Sequence, residues 1–367
     1  MLAISALGPT FCQSLARANS VTSKSEATKF SMPGLYPGKV VSVEQGNSIV
    51  NGVYQKEPVR QMMRTGMKSL TGAADFVESW KTFFSPGERV GIKLNPVSRP
   101  YVMSDATVVH EIVAGLEAAG VKRKDIVVYD RYKQEFLEAG FDKWLPEGVR
   151  WSFAAQAYDG VQQGSDGYDP DHYLDMQLTM PGFDAGNERA RRSYASRYIT
   201  SEVDKLVNLC LLKHHQSAGI TIALKNLSHG LVNNVSRSHS SPMLNACGAF
   251  IPAVVSMPVI RNKAVLHICD GIKALYHGGP GVSPRKVKYV WEHKTLYFGT
   301  DPVAMDRIGW QALDAKRLSV GMAAIADAKP DVDSGFVRMQ PEHVDIAGAL
   351  GLGIGDMARI QHVRLKA

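Results

Sequence analysis

The segment from His214 to His229, His-His-Gln-Ser-Ala-Gly followed by Ile-Thr-Ile-Ala-Leu-Lys-Asn-Leu-Ser-His, crowds together three imidazoles, an ammonium and two side-chain amides. A neutral imidazole moves protons near neutral pH and is also a common ligand for zinc, nickel or copper. His214 and His215 are adjacent, so on extended backbone they face opposite ways. His215 is the candidate catalytic group, because Ala218-Gly219 leaves room for a ligand beside it. Lys225 sits in the apolar frame Ile222-Ala-Leu-Lys-Asn. A desolvated lysine has a lowered pKa and can act as a nucleophile, while a charged one pairs with carboxylate or phosphate. The alternative is a lysine with a buried stem and its head in water. Asn226 fits either a ligand contact or a turn.

Three further histidines, His229, His239 and His267, supply candidate metal ligands for zinc, nickel or copper. His267-Ile-Cys-Asp270 alternates like a strand, which puts His267 and Cys269 on one face and Asp270 at the strand end. There Asp270 could orient an imidazole or bind a metal, and it joins His215 and Lys225 as a catalytic candidate. Asn95 and Arg99 follow an apolar strand, and the arginine fork matches the two oxygens of a substrate carboxylate. Asp301-Pro302 reads first as a helix N-cap with proline at the first helical position. Asp306, a turn further on, has less structural excuse and is a candidate acid behind the site.

These side chains need a frame. Lys205 to Lys213 has the length and apolar density of a buried strand, so His214 and His215 emerge at its carboxyl end, where open α/β sheets bind ligands. Val90–Leu94 is another buried strand, Thr107–Ala119 has the apolar spacing of an amphipathic helix, and Ile126–Asp130 is the next strand. That βαβ order predicts an α/β fold with a mostly parallel sheet and helices on both faces. Further strands are expected at Val40–Val43, Ala264–Cys269, Thr295–Phe298 and from Ile360, and helices at Met62–Trp80, Leu244–Val255 and Pro302–Leu313. Residues 158–200 are rich in Gly, Asp, Tyr and Arg without periodicity and read as an insertion or lid. The chain then divides into a leader arm (19–38), a first lobe (39–157) and a second lobe (201–367), or one continuous domain built from both lobes.

With 367 residues, 45% of them apolar, the chain can bury a sizeable core. Its net charge of +7 comes from scattered basic residues. That pattern is a solvated surface, not a nucleic-acid stripe, and leaves small anions as partners. The apolar start Met1–Gly8 and the small residues of Ala16-Arg17-Ala18 read as the back half of an export signal, residues 1–18. The expected location is the periplasm or outside the cell, with the cytoplasm as the alternative. No other run reaches the roughly 18 apolar residues of a membrane span. Cys12, Cys210, Cys247 and Cys269 form no CxxC pair, so a disulfide framework, an iron–sulfur cluster or a cysteine-type zinc site has little support.

Leu212-Lys-His-His215, Ala218-Gly-Ile-Thr221, Ala223-Leu-Lys-Asn226 and Thr300-Asp-Pro-Val-Ala-Met-Asp306 with Gly309 resemble the signature blocks of domain-of-unknown-function family 362, over roughly residues 88–315. Members are often exported, and some carry a ferredoxin-type cysteine cluster that this chain lacks. The spacing of His215, Ala218, Gly219 and Lys225 is also similar to the nickel-pincer lactate racemases, as are Gly87–Ile92, Ser98-Arg99-Pro100 and Leu116–Gly120. That resemblance implies a proton-transferring His215, a Lys225 that carries the cofactor, a carboxylate-binding Arg99 and a nickel-ligating His239. Asp130-Arg131 stands where that family has a second catalytic histidine, so racemisation by two opposed bases is not implied. The combined expectation is an exported enzyme that uses His/Lys acid–base chemistry on a small hydroxy- or oxo-acid anion, with a metal or metal-containing cofactor. The alternative is a periplasmic small-molecule or metal-binding protein without turnover.

Overall fold

The computed structural model describes residues 26–367, together with the backbone of Ala16–Arg17 paired against Asp175–Met176. The export signal read over residues 1–18 otherwise lies outside the described residues. Among the described residues no helix is long and apolar enough to cross a membrane.

One sheet organises the chain. Its strands are β1 (Lys39–Glu44), β2 (Val90–Lys93), β3 (Ile126–Tyr129), β4 (Arg150–Ser152), β7 (Lys205–His215), β8 (Gly219–Thr221), β9 (Ala264–Leu275), β10 (Val290–Gly299) and β11 (Gln361–Lys366), while β5 (Tyr168–Met176) and β6 (Arg192–Ser196) pair elsewhere. The spatial order is β11-β1-β10-β9-β7-β2-β3-β4, with β8 folded back on the end of β7. Along that path only β10 runs against its neighbours. The expected mostly parallel α/β sheet is therefore present. Strands of both lobes stand side by side in it, where β7 pairs with β2 and where β1 lies between β10 and β11.

The helices are α1 (Lys56–Thr71), α2 (Phe76–Lys81), α3 (Ala106–Ala118), α4 (Lys133–Glu138), α5 (Ala223–Leu231), α6 (Cys247–Val255), α7 (Pro258–Lys263), α8 (Pro302–Ser319) and α9 (His343–Ala349). Burial on α1 falls on Val59, Met62, Met63, Met67 and Leu70, the stripe that a helix lying on a sheet must present. The helix expected over Met62–Trp80 is two helices, because Gly72 ends α1 in the left-handed conformation. Two cores result. Met62, Trp80, Ile112, Leu116 and Phe136 fill one face of the sheet, and Leu224, Phe250, Ile251, Val303 and Met305 fill the other. Each such side chain contributes about 1.5–3 kcal/mol on burial.

The segment 158–200 differs from its expected irregularity. Tyr168–Met176 and Arg192–Ser196 form an antiparallel ribbon, with a register shift between Tyr168 and Tyr173. Pro170 masks the strand pattern at that shift, and buried Tyr168, Leu174, Met176 and Ala195 supply the apolar contacts.

Candidate functional site

The carboxyl ends of β2, β3 and β7 open into a cavity of about 370 Å³. Its wall includes Lys93 and Asn95 from β2 and the turn after it, Asp130 and Arg131 following β3, and Lys213 and His215 from the last turns of β7. Helix α5 crosses this opening and adds Lys225, Asn226 and His229, and the following loop adds His239. Strand alternation sets the β7 contribution. Lys213 and His215 share a face, whereas His214 turns the other way, onto Met339 Sδ at 3.2 Å and the backbone of Gly279.

Helix α5 is placed by α8. Its own N-cap residue, Ile222, makes no side-chain cap. The fully buried Asp306 carboxylate of α8 takes that role, accepting from Ala223 N at 2.6 Å and from Leu224 N. Asp301, the expected N-cap of α8, accepts from Val303 N and Ala304 N and ties down Gly38 N and Ile354 N as well. At the other end of α5, Gly230 leaves room for the Lys93 stem, since a Cβ there would lie 2.2 Å from Lys93 Cε. Gly230→Ala is therefore expected to push Lys93 off Asp130 and cost about 1–3 kcal/mol by overpacking, read as a lower urea midpoint. An unchanged midpoint would show that Lys93 has slack.

Charge in the cavity is unbalanced. Lys93 is neutralised by Asp130 at 2.6 Å, both buried. Among the described residues Arg131, 4% exposed, donates to neutral acceptors, namely Tyr168 Oη and Gln162 Oε1 at 3.0 Å and the His229 carbonyl at 3.3 Å. Lys225 is 5% exposed, and no hydrogen bond or ion pair reaches its Nζ among the described residues. Burial, partly offset by the nearby Cys247, lowers its pKa to about 8. Lys213 bonds Asn95 Oδ1 and Ser98 Oγ, each at 3.1 Å, and burial beside Lys225 lowers it to about 7. Glu135 is the remaining acid on the wall; burial raises its pKa, and it leans on Arg99 at 3.6 Å.

Hydrogen bonds assign the histidine tautomers. Nδ1 of His215 accepts from the backbone N–H groups of Ser217 and Ala218, at 3.2 and 3.3 Å, which leaves Nε2–H as a donor. Ser238 donates its hydroxyl proton to the Val235 carbonyl and so accepts from His229 Nε2 and His239 Nδ1, at 3.1 and 3.0 Å. Among the described residues His239 is left with a bare Nε2, and its ring stands 5.7 Å from that of His215. Burial first, and then the charge of Lys225, holds the pKa of the His215 and His239 rings well below the ordinary value, that of His239 at about 3.

Such rings make stability pH-dependent. His239 and His267, both at about 3 when folded, stay neutral while the unfolded chain takes up protons below about 6.5. Stability therefore falls as pH drops through 6.5. At pH 5.5 these two together cost about 3 kcal/mol relative to pH 7.5. Urea unfolding at the two pH values checks this, and equal midpoints would contradict neutral buried rings.

The structure brings together His215, Lys225, Asn226, Asn95, His229 and His239, and leaves out three of the expected residues. Arg99 turns away from the main cavity onto Glu135 and Glu138 of α4. Asp270 does not line the cavity; Tyr54 Oη and Ile272 N donate to it, and burial lifts its pKa to about 7. Its strand continues to Leu275, so it does not end the strand as expected. His267 does share a face with Cys269, but its Nδ1 accepts from Asn208 Nδ2 at 3.1 Å, behind the cavity wall. Lys213 and Arg131 were missed. Two-residue alternation from His215 identifies Lys213, whereas Arg131 is marked only by its place just past the end of β3.

Among the described residues, His229, His239 and Cys247 are the group that could hold a metal, with ligand atoms within 4.8 Å of one another. Cys247 replaces the expected His267 in that set. Ser238 Oγ already lies among them, 3.9 Å from Cys247 Sγ and in hydrogen-bond contact with both rings. The convergence thus has a hydroxyl at its hub, and an ion there requires the Ser238 side chain to turn away.

Fold and site together define an open α/β protein with a buried, cation-rich cavity at the carboxyl edge of its sheet. The chain belongs to the domain-of-unknown-function family DUF362, whose profile matches residues 90–311. No curated protein sequence shows significant similarity to it. Among solved structures, a Thermotoga maritima protein determined by a structural-genomics consortium is similar at a TM-score of 0.38 and 11% identity. The similarity covers 75% of this chain and 61% of that one, so this chain spans about three-fifths of that protein's length.

Proposed function

We propose that this protein is an enzyme that binds a small carboxylate of the hydroxy- or oxo-acid type and moves a proton on it. One observation carries the reading: Lys225 and Arg131 are buried in the cavity without a carboxylate partner among the described residues. An unpaired buried charge costs several kcal/mol, and a bound anion is the group that offsets it. Arg131 offers a planar fork and Lys225 a point charge to that anion. Around it stand the donor Nε2–H of His215, the bare Nε2 of His239 and Lys213, whose lowered pKa of about 7 suits proton transfer at neutral pH.

The test is deuterium exchange. Lactate, pyruvate, malate, glycolate and oxaloacetate are incubated with the protein in D₂O and followed by proton NMR. Loss of a carbon-bound proton signal from one of them, above the protein-free rate, is the expected result. Tight binding without exchange would favour the second reading, a binding protein without turnover. The His229, His239 and Cys247 cluster gives that reading a metal-handling version, in which stoichiometric zinc or copper binds and the Cys247→Ser variant loses it.

A further inference from the structure

We propose that Lys213 is the proton-accepting base of this cavity, its amine oriented by two acceptors that an ordered row of three asparagine amides helps to fix. The inference rests on the proton-transfer reading above and names the group that does it.

A neutral lysine amine has two N–H groups and one lone pair. Lys213 Nζ has two acceptors, Asn95 Oδ1 and Ser98 Oγ, each at 3.1 Å. Ser98 donates its own proton to the Pro280 carbonyl, so its oxygen can only accept from the lysine. The Asn95 oxygen is locked in place as well, because it takes Val97 N while its Nδ2 donates to Asn226 Oδ1 at 3.1 Å. Asn226 Nδ2 donates to Asn208 Oδ1 at 2.7 Å, and Asn208 Nδ2 donates to His267 Nδ1 at 3.1 Å. Backbone bonds from Asn226 Nδ2 to the Leu209 carbonyl and from Asn208 Nδ2 to the Ala223 carbonyl keep these amides from flipping. Every donor in the row points away from Lys213.

The two N–H groups are thereby consumed, and the lone pair is left for the cavity that Lys213 lines. Taking a proton from a substrate carbon or hydroxyl makes an ammonium whose third N–H stays beside the anion just formed. The same group then returns the proton, and no other reactant is needed. The charged groups around Lys213 are Lys225 on α5, Lys93 on β2, Asp130 after β3 and Glu135 on α4, and His214 and His215 follow it in the chain. His239 also presents a lone pair, but burial and Lys225 hold it at about 3, far below the value of about 7 for Lys213.

Competitive acetylation with acetic anhydride from pH 5 to 10, read lysine by lysine by mass spectrometry, gives each midpoint on the intact protein without any substrate. Lys213 is expected to titrate near 7. A midpoint near the ordinary lysine value of about 10 would overturn the proposal. Asn226→Asp places a carboxylate in the row without touching Lys213, and is expected to raise the Lys213 midpoint by about one unit or more. An unmoved midpoint in a folded Asn226→Asp protein would refute the row's part in it. Neither result depends on turnover, so a failure here is separable from a negative exchange screen.

Discussion

Replacing Lys225 with methionine is expected to lower deuterium exchange into the bound acid by about 10²–10⁴-fold while making the protein more stable. The first effect is the loss of a positioned charge and proton donor next to the reacting anion. The second follows from linkage. Lys225 titrates at about 8 in the folded protein, below its ordinary value of about 10.4 in an unfolded chain. Between those values the unfolded chain binds more protons, so stability rises with pH through that window, and below it the buried charge costs a constant amount. Methionine fills similar volume without the charge, and at pH 7 should return about 1–3 kcal/mol. A lysine with a merely structural role would show the reverse pattern, unaltered chemistry with reduced stability. Denaturant unfolding and the exchange assay, run on the same preparation, separate the two.

Asp306→Ala carries the largest expected stability cost. Its carboxylate is fully buried and bonds Ala223 N at 2.6 Å and Leu224 N, the first N–H groups of α5, and it faces His343 Nε2 at 3.7 Å. Truncation leaves those donors unsatisfied in the core and opens a small void, for about 3–5 kcal/mol in all. Because α5 carries Lys225, Asn226 and His229, the same change should weaken anion binding, whereas truncating an exposed acid such as Asp345 should not. Asp306→Asn keeps the shape and one acceptor and is expected to recover part of the loss. If Asp306→Ala unfolded at the wild-type denaturant concentration, α5 would be anchored by packing alone.

The frame of the site was legible because strands and amphipathic helices write their burial into period and length. Val90–Leu94, Thr107–Ala119, Ile126–Asp130 and Lys205–Lys213 all hold in the structure to within about two residues. The carboxyl-edge placement of His215 and the opposite turn of His214 follow from the same alternation. What could not be read was which polar residues meet across the sheet. Arg99 was chosen for its chemistry, yet α4 brings Glu135 and Glu138 against it. Asp270 and His267 were chosen for their types on a strand whose facing partners, Tyr54 and Asn208, lie more than 50 residues away in sequence. Lys213 looked like the polar end of an apolar strand. Its role emerges only where Asn95 and Ser98 close around it.

The central claim is that the cavity keeps uncompensated positive charge for an anion. The most direct measurement is calorimetric titration of the protein with lactate, pyruvate and malonate near pH 8, in buffers of different ionisation enthalpy. A bound carboxylate favours the charged lysines, so binding should take up protons, giving an observed enthalpy that varies with the buffer, and should weaken as pH rises past 8. Binding that is independent of buffer and pH, or no binding of any carboxylate, would contradict the account.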